Sequence, residues 1–341
     1  MRAPGALAAL REGTRRVNRA PAVWLGVWVL TVLVSLPLAV AMRDRLQTSL
    51  GSSLAANTAA SGVNYDWMQE FMSDATGLSS TFKPAVIGFA AVLDNLSSFM
   101  DNARQPVVIV GAAAVYILGW LFLAGGILDR YARDRVTHAH GFFAASGVFF
   151  FRFLRLAAVM ALVYGVLFGA LHPWLFGRVF PRLTRELTVE RTAFLIRVVC
   201  YGVFGASLAA CNIVFDYAKV RAVVEDRRSM LGATIAGIRF IRRNLAAAGT
   251  LYLLDVLLFA IVLSAYGLVA PGAGGAGWSI WLGFLLGQGY ILARLWVKLV
   301  FWASETALFQ SRLAHAGYIA APTPTWPESP IAEAIGHQME T

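Results

Sequence analysis

Charge is what this sequence has least of. Asp, Glu, Lys and Arg make up 14% of its 341 residues, against about 25% in an average soluble chain. With 58% hydrophobic residues, the chain cannot cover a water-facing surface in the usual way. Cysteine is almost absent too. Cys200 and Cys211 share one apolar run, roughly 16 Å apart along a helix, so they cannot bridge each other and are expected as packing residues. Histidine is sparse: His138 and His140 form an H-x-H pair with no further ligand nearby in sequence, so no metal and no other cofactor is expected. Phosphate-cradling glycine loops, nucleophile elbows and metalloprotease helix motifs are also missing. No catalytic residue can be named, and the expectation is that the chain is not an enzyme.

Long apolar runs are what the sequence does have. Six of them, about 22–42, 107–128, 153–175, 194–215, 245–268 and 278–303, are long enough to cross a bilayer as helices. They are continuous rather than alternating, which excludes a β-barrel. The predicted fold is all-α: a polytopic transmembrane bundle of about six spans with a small helical extracytoplasmic cap.

The net charge of +10 is sorted by loop rather than spread. Arg11, Arg15, Arg16 and Arg19 precede the first span. Arg130, Arg133 and Arg135 follow the second, and Lys219, Arg221, Arg227, Arg228, Arg239, Arg242 and Arg243 fill the segment between the fourth and fifth. The opposite loops carry fewer cations. By the positive-inside rule, the dense loops and both termini are cytoplasmic. No aromatics interleave with the basic residues, so nucleic acid is not an expected partner. The first run, with "LAVAM" at its end, reads as an uncleaved span, although the A-x-A spacing of Ala39 and Ala41 also suits a signal peptide.

Sliding the sequence by 87 residues sets "ILDRYARDR" on "VFDYAKVRA". Asp129 then falls on Asp216, Arg152 on Arg239, Phe153 on Phe240 and Arg155 on Arg242. Arg16 and Arg19 repeat the arginine spacing before the first span, and "VFWASE" puts Trp302 in the register of the acid. The chain thus reads as three helical hairpins, each entering through an arginine pair; anchoring arginines alone produce similar matches. Leu231, Ile235, Ile238 and Ile241 recur at helical spacing beside Arg239, Arg242 and Arg243, a pattern suited to lying on the inner leaflet. Arg16, Arg19, Arg152, Arg155, Arg239, Arg242 and Arg243 are the candidate contacts for anionic lipid.

The order of spans, this basic amphipathic segment and "LARLWVKLVFWASETALFQSRL" resemble a group of uncharacterised bacterial six-span membrane proteins. The loop is more distantly similar to the membrane region attached to some bacterial glycerophosphodiester phosphodiesterases. The resemblance implies a helical membrane domain; the phosphodiesterase catalytic domain is missing, so no enzymatic residue carries over.

The expected organisation is a basic N-terminal segment (1–21), a six-span domain (22–304) with an outer cap inserted at 43–106, and a cytoplasmic Pro-rich tail (305–341). The cap is expected to hold two short helices that act as a structural flap. Asp255 and Arg294 fall near mid-depth if the sixth span ends near 303, close enough to form an intramembrane ion pair. Three functions follow in order. The first is a non-catalytic module organising anionic inner-leaflet lipids or a membrane or periplasmic protein partner. The second is a transporter component using the Asp–Arg pair. The third is a membrane-embedded lipid enzyme.

Overall fold

The computed structural model describes residues 5–51, 53–62, 64–83, 88–270 and 277–315. Its helices are α1 (Ala6–Asn18), α2 (Pro21–Leu50), α3 (Ala56–Ser61), α4 (Tyr65–Asp74), α5 (Gly88–Met100), α6 (Val107–Arg133), α7 (Ala139–Thr184), α8 (Glu190–Val224), α9 (Met230–Arg243), α10 (Leu245–Val269) and α11 (Trp278–His315). Among the described residues there is no strand. Six helices, α2, α6, α7, α8, α10 and α11, are long and apolar enough to span a membrane. This is a multi-pass all-α membrane protein, as expected.

Two ends of the bundle differ in packing. Towards the cap, Leu25, Val29, Leu33, Leu36 and Val40 of α2 are exposed, as are Ile280, Trp281, Leu282, Phe284 and Leu285 of α11. Such surface is stable against lipid tails rather than water. At the arginine-rich end, here the basic end, burial is continuous. Every residue from Trp302 to Phe309 of α11 is buried, as is every residue from Ala124 to Tyr131 of α6. A helix covered on all sides is a central post rather than a surface stripe.

Three helix pairs build this end. In the first, Gly125 and Gly126 let α6 approach α7: a Cβ at Gly126 would meet the Phe142 carbonyl at 2.7 Å. In the second, α9 folds back along α8, with Gly237 against Ala218 and Phe240 against Tyr217. The third joins the two extremes of the described chain. α1 buries Ala6, Ala9, Gly13 and Val17, one helical stripe, and Gly13 rests on the backbone of Ser304 in α11. The 86-residue interval that separates Asp216 from Trp302 also carries Ala218 onto Ser304, so the α11–α1 contact repeats the α8–α9 contact in register.

Two boundaries depart from expectation. The basic N-terminal segment is part of the bundle, because its stripe of small residues fits α11. Residues 305–315, expected as tail, continue α11, with 305–309 in the core and 310–313 half-buried, because "ETALFQSRL" keeps apolar residues on the buried sides. The rest of the expected tail, 316–341, lies outside the described residues.

The cap contains more helix than expected. Asn64 caps α4 by accepting from the Trp67 amide, and Trp67, Phe71 and Phe82 cluster, with Trp67 Nε1 donating to Ser49 Oγ at the end of α2. α5 docks through its last turn: Phe99 packs on Phe168, and Asn102 Nδ2 donates to the Phe168 carbonyl at 3.0 Å. That carbonyl lies in one of two π turns, Leu167–Leu171 and Leu175–Val179, that bracket Pro173. Proline withholds an amide from the helix, and the wide turns absorb the misfit. Tyr201 donates to Asp101 and holds its carboxyl below the usual range. His172 contacts the Met100 carbonyl.

Candidate functional site

The acids aligned by the sequence repeat occupy matching local settings. Asp129 accepts from Arg133 Nε at 2.7 Å, one turn on. Asp216 accepts from Lys219 Nζ at 2.5 Å, Asn212 Nδ2 at 2.9 Å and Trp302 Nε1 at 3.3 Å. Both carboxylates are buried, and both are neutralised from their own helix, which removes the penalty of an isolated buried charge.

Asp255 and Arg294 do not meet. Asp255 is fully buried and its Oδ2 accepts from Ser304 Oγ at 3.2 Å, while Arg294 is exposed beside Tyr290. The stacked Tyr266–Tyr290 rings and the Tyr252–Phe301 contact set the antiparallel register of α10 and α11. That register puts Ser304 opposite Asp255, with Arg294 roughly 15 Å farther along α11. The expectation failed because α11 runs past 303 to His315, which moves the whole register. Neither residue is at mid-depth. Asp255 belongs to the layer where α1 packs, and Arg294 lies near the start of α2, where Trp24 Nε1 donates to the Leu292 carbonyl.

The candidate arginines divide into two groups. Arg16 is spent internally: it donates to Glu12, to the Tyr131 carbonyl and to Gln310, riveting α1 to α6 and α11. Arg152 is spent on Asp226 at 2.5 Å and lies over the Phe149 ring. The structure therefore contradicts these two as lipid contacts, because Glu12 and Asp226, neither considered from sequence, reach them first. Arg19 is exposed and only 3.9 Å from Asp134. Arg155, Arg239, Arg242 and Arg243 are exposed and make no ion pair among the described residues. Arg15 beside Glu12 holds that carboxyl below the usual glutamate range.

The free arginines of α9 border a groove of about 800 Å³ lined by Arg221, Arg227, Arg239, Arg243 and Arg312. Glu225 pairs with Arg221 and Arg227, leaving three guanidiniums without an acid among the described residues. Arg312 Nε is buried and has no hydrogen-bond partner. α9 does not lie apart on a surface as expected; it packs along α8. Its Met230, Ala233, Ala236, Gly237, Phe240 and Ile241 face the core, while Leu231, Ile235 and Ile238 stay exposed next to the arginines. Ile241 thus leaves the stripe assigned to it, because one turn of α9 is shared between two apolar faces. Arg312 was hidden from the sequence reading by its assignment to a tail; its spacing after the buried Leu308 and Phe309 was the available signal. No protein family, curated protein or solved structure matches this chain.

Proposed function

We propose that the protein is a non-catalytic module of a bacterial inner membrane, with its basic end in the cytoplasm, that gathers anionic lipid in the α8–α9–α11 groove. The observation that carries this reading is the surplus of guanidinium: Arg239, Arg243 and Arg312 face one groove with no acid among the described residues to neutralise them. The exposed Leu231, Ile235 and Ile238 lie alongside, so one lipid can offer phosphate to the arginines and acyl chain to the neighbouring strip. The loop distribution of Lys and Arg supports the orientation. The transport alternative drew on an Asp255–Arg294 pair, and their separation removes that argument.

Each exposed arginine near an anionic surface contributes about 1 kcal/mol, weakened by salt. Arg239→Gln with Arg243→Gln should therefore lower the preference for phosphatidylglycerol over phosphatidylcholine by about tenfold or more in native mass spectrometry, and flatten its salt dependence. An unchanged preference in this double variant would refute the reading.

A further inference from the structure

We propose a second anion site at the basic edge of the membrane, formed by Lys298 of α11 against the Trp120–Trp302 pair, with the phosphate or carboxylate of a headgroup as its ligand.

The site begins with a periodicity. Tyr290, Arg294, Lys298 and Trp302 recur every fourth residue, so they form one ridge of α11. Arg294 and Lys298 are exposed, yet the residues on both sides of them around the helix, Tyr290 and Val297 on one and Leu295 and Trp302 on the other, are buried. An exposed strip with buried flanks faces a crevice between helices, not an open lipid surface. Inside it, Lys298 Nζ lies 3.7 Å from the centre of the Trp120 ring and 5.9 Å from that of Trp302. The two indoles meet edge to face at 5.4 Å.

The polar groups of this crevice want an acceptor. Lys298 makes no ion pair among the described residues. Trp120 Nε1, on a side chain more than nine-tenths buried, has no hydrogen-bond partner among the described residues. The acid within electrostatic reach, Asp216, is already engaged by Lys219, Asn212 and Trp302. Around Lys298 itself the charges are Lys219 and Arg294 against Asp216, a positive surplus at that point, while Lys219 is also within electrostatic reach of the buried Glu305. An anion bound at Lys298 would supply the missing charge and accept from the indole.

Depth narrows the ligand class. Trp296 Nε1 donates to Asn18 Oδ1 and Trp24 Nε1 to the Leu292 carbonyl, so Lys298 is level with the junction of α1 and α2. The first apolar span starts there, so Lys298 sits at the polar edge of that span rather than within its apolar length. The arginine groove is a different place: Arg312 lies roughly 21 Å farther along α11.

The test uses the full chain with Cys200→Ser and Cys211→Ser as parent, in a neutral detergent. Phosphatidylglycerol, phosphatidylcholine and inorganic phosphate are titrated separately, and the melting shift gives an apparent affinity. Phosphatidylglycerol should stabilise the parent, and Lys298→Cys should weaken that effect by about tenfold or more, the scale of one charge-assisted hydrogen bond. Treating Lys298→Cys with an aminoethyl thiosulfonate rebuilds a lysine-like cation and should restore the affinity; a sulfonatoethyl reagent should not. If inorganic phosphate reproduces the Lys298-dependent shift, the site takes a soluble anion; if only phosphatidylglycerol does, it takes a lipid headgroup. The proposal fails if the introduced cysteine does not react from water. It also fails if Lys298→Cys binds like the parent, or if no anion stabilises the parent through this position. Lys298→Arg keeps the charge and should keep most of the affinity. Because the arginine groove is untouched in these variants, loss of this site leaves the groove reading standing, and the reverse.

Discussion

Gly13 is where a single methyl group should do the most harm. A Cβ there would lie 2.5 Å from Ser304 N and 2.7 Å from its Cα, where ordinary contact begins at 3.4 Å. Both partners are backbone, so no rotamer relieves the clash, and α1 must move off α11 by about 1 Å. Overpacking of this kind reaches about 3 kcal/mol. The displacement also strains the Ser304–Asp255 hydrogen bond, whose loss adds about 1 kcal/mol. Alanine returns about 1 kcal/mol through its better helix propensity. Gly13→Ala should thus destabilise by about 3 kcal/mol. Gly26→Ala, where nothing lies within 4 Å, should gain up to about 1 kcal/mol instead. The assay is thermal unfolding in detergent of parent and both variants, followed by retention on size exclusion. A Gly13→Ala protein that melts with or above its parent would show that α1 is not docked on α11.

Three more outcomes are expected. Arg15 depresses the Glu12 carboxyl in the folded state, so Glu12 contributes stability above the ordinary glutamate range and loses it as the pH falls through its lowered value. Glu12→Gln should melt below the parent at pH 7 and converge with it as the pH falls from the ordinary glutamate range through that lowered value; a constant difference across that range would exclude the ion pair as the cause. A double-mutant cycle on Asp255→Ala and Ser304→Ala should give a coupling of about 0.5–1.5 kcal/mol, whereas Asp255→Ala and Arg294→Ala should add independently; the reverse pattern would restore the intramembrane ion pair. In the cysteine-free background, Ser73→Cys and Ser229→Cys, both at exposed positions, should label from opposite sides of the membrane, and labelling of both from one side would overturn the topology.

The spans were legible because bilayer thickness writes itself directly into run length: each of the six apolar runs lies on a spanning helix. Sequence aligned Asp129 with Asp216 but did not name their cations, Arg133 and Lys219, although each lies one turn on in the same helix and that pairing needs only local spacing. What escaped was long-range register. Asp255 and Arg294 were matched by counting from assumed helix ends, and the continuation of α11 from 303 to His315 voided the count. Arg16 and Arg152 looked free because Glu12 and Asp226 reach them through the turn and the tertiary fold. The setting of Lys298 was out of reach for the same reason, since Trp120, far away in sequence, holds its ammonium.

The docking of α1 on α11 also has a consequence in time. The stripe Ala6, Ala9, Gly13 and Val17 is made roughly 290 residues before its partner surface around Ser304. At about 5–20 residues per second, the ribosome needs roughly 15–60 s to bridge them. During that interval five spans are made one after another while the first helix stays without its seat, a substrate for chaperones or for the membrane surface. A nascent chain stalled after α10 would therefore be fully inserted and still unlocked, and release of the last helix acts as the latch that ends assembly.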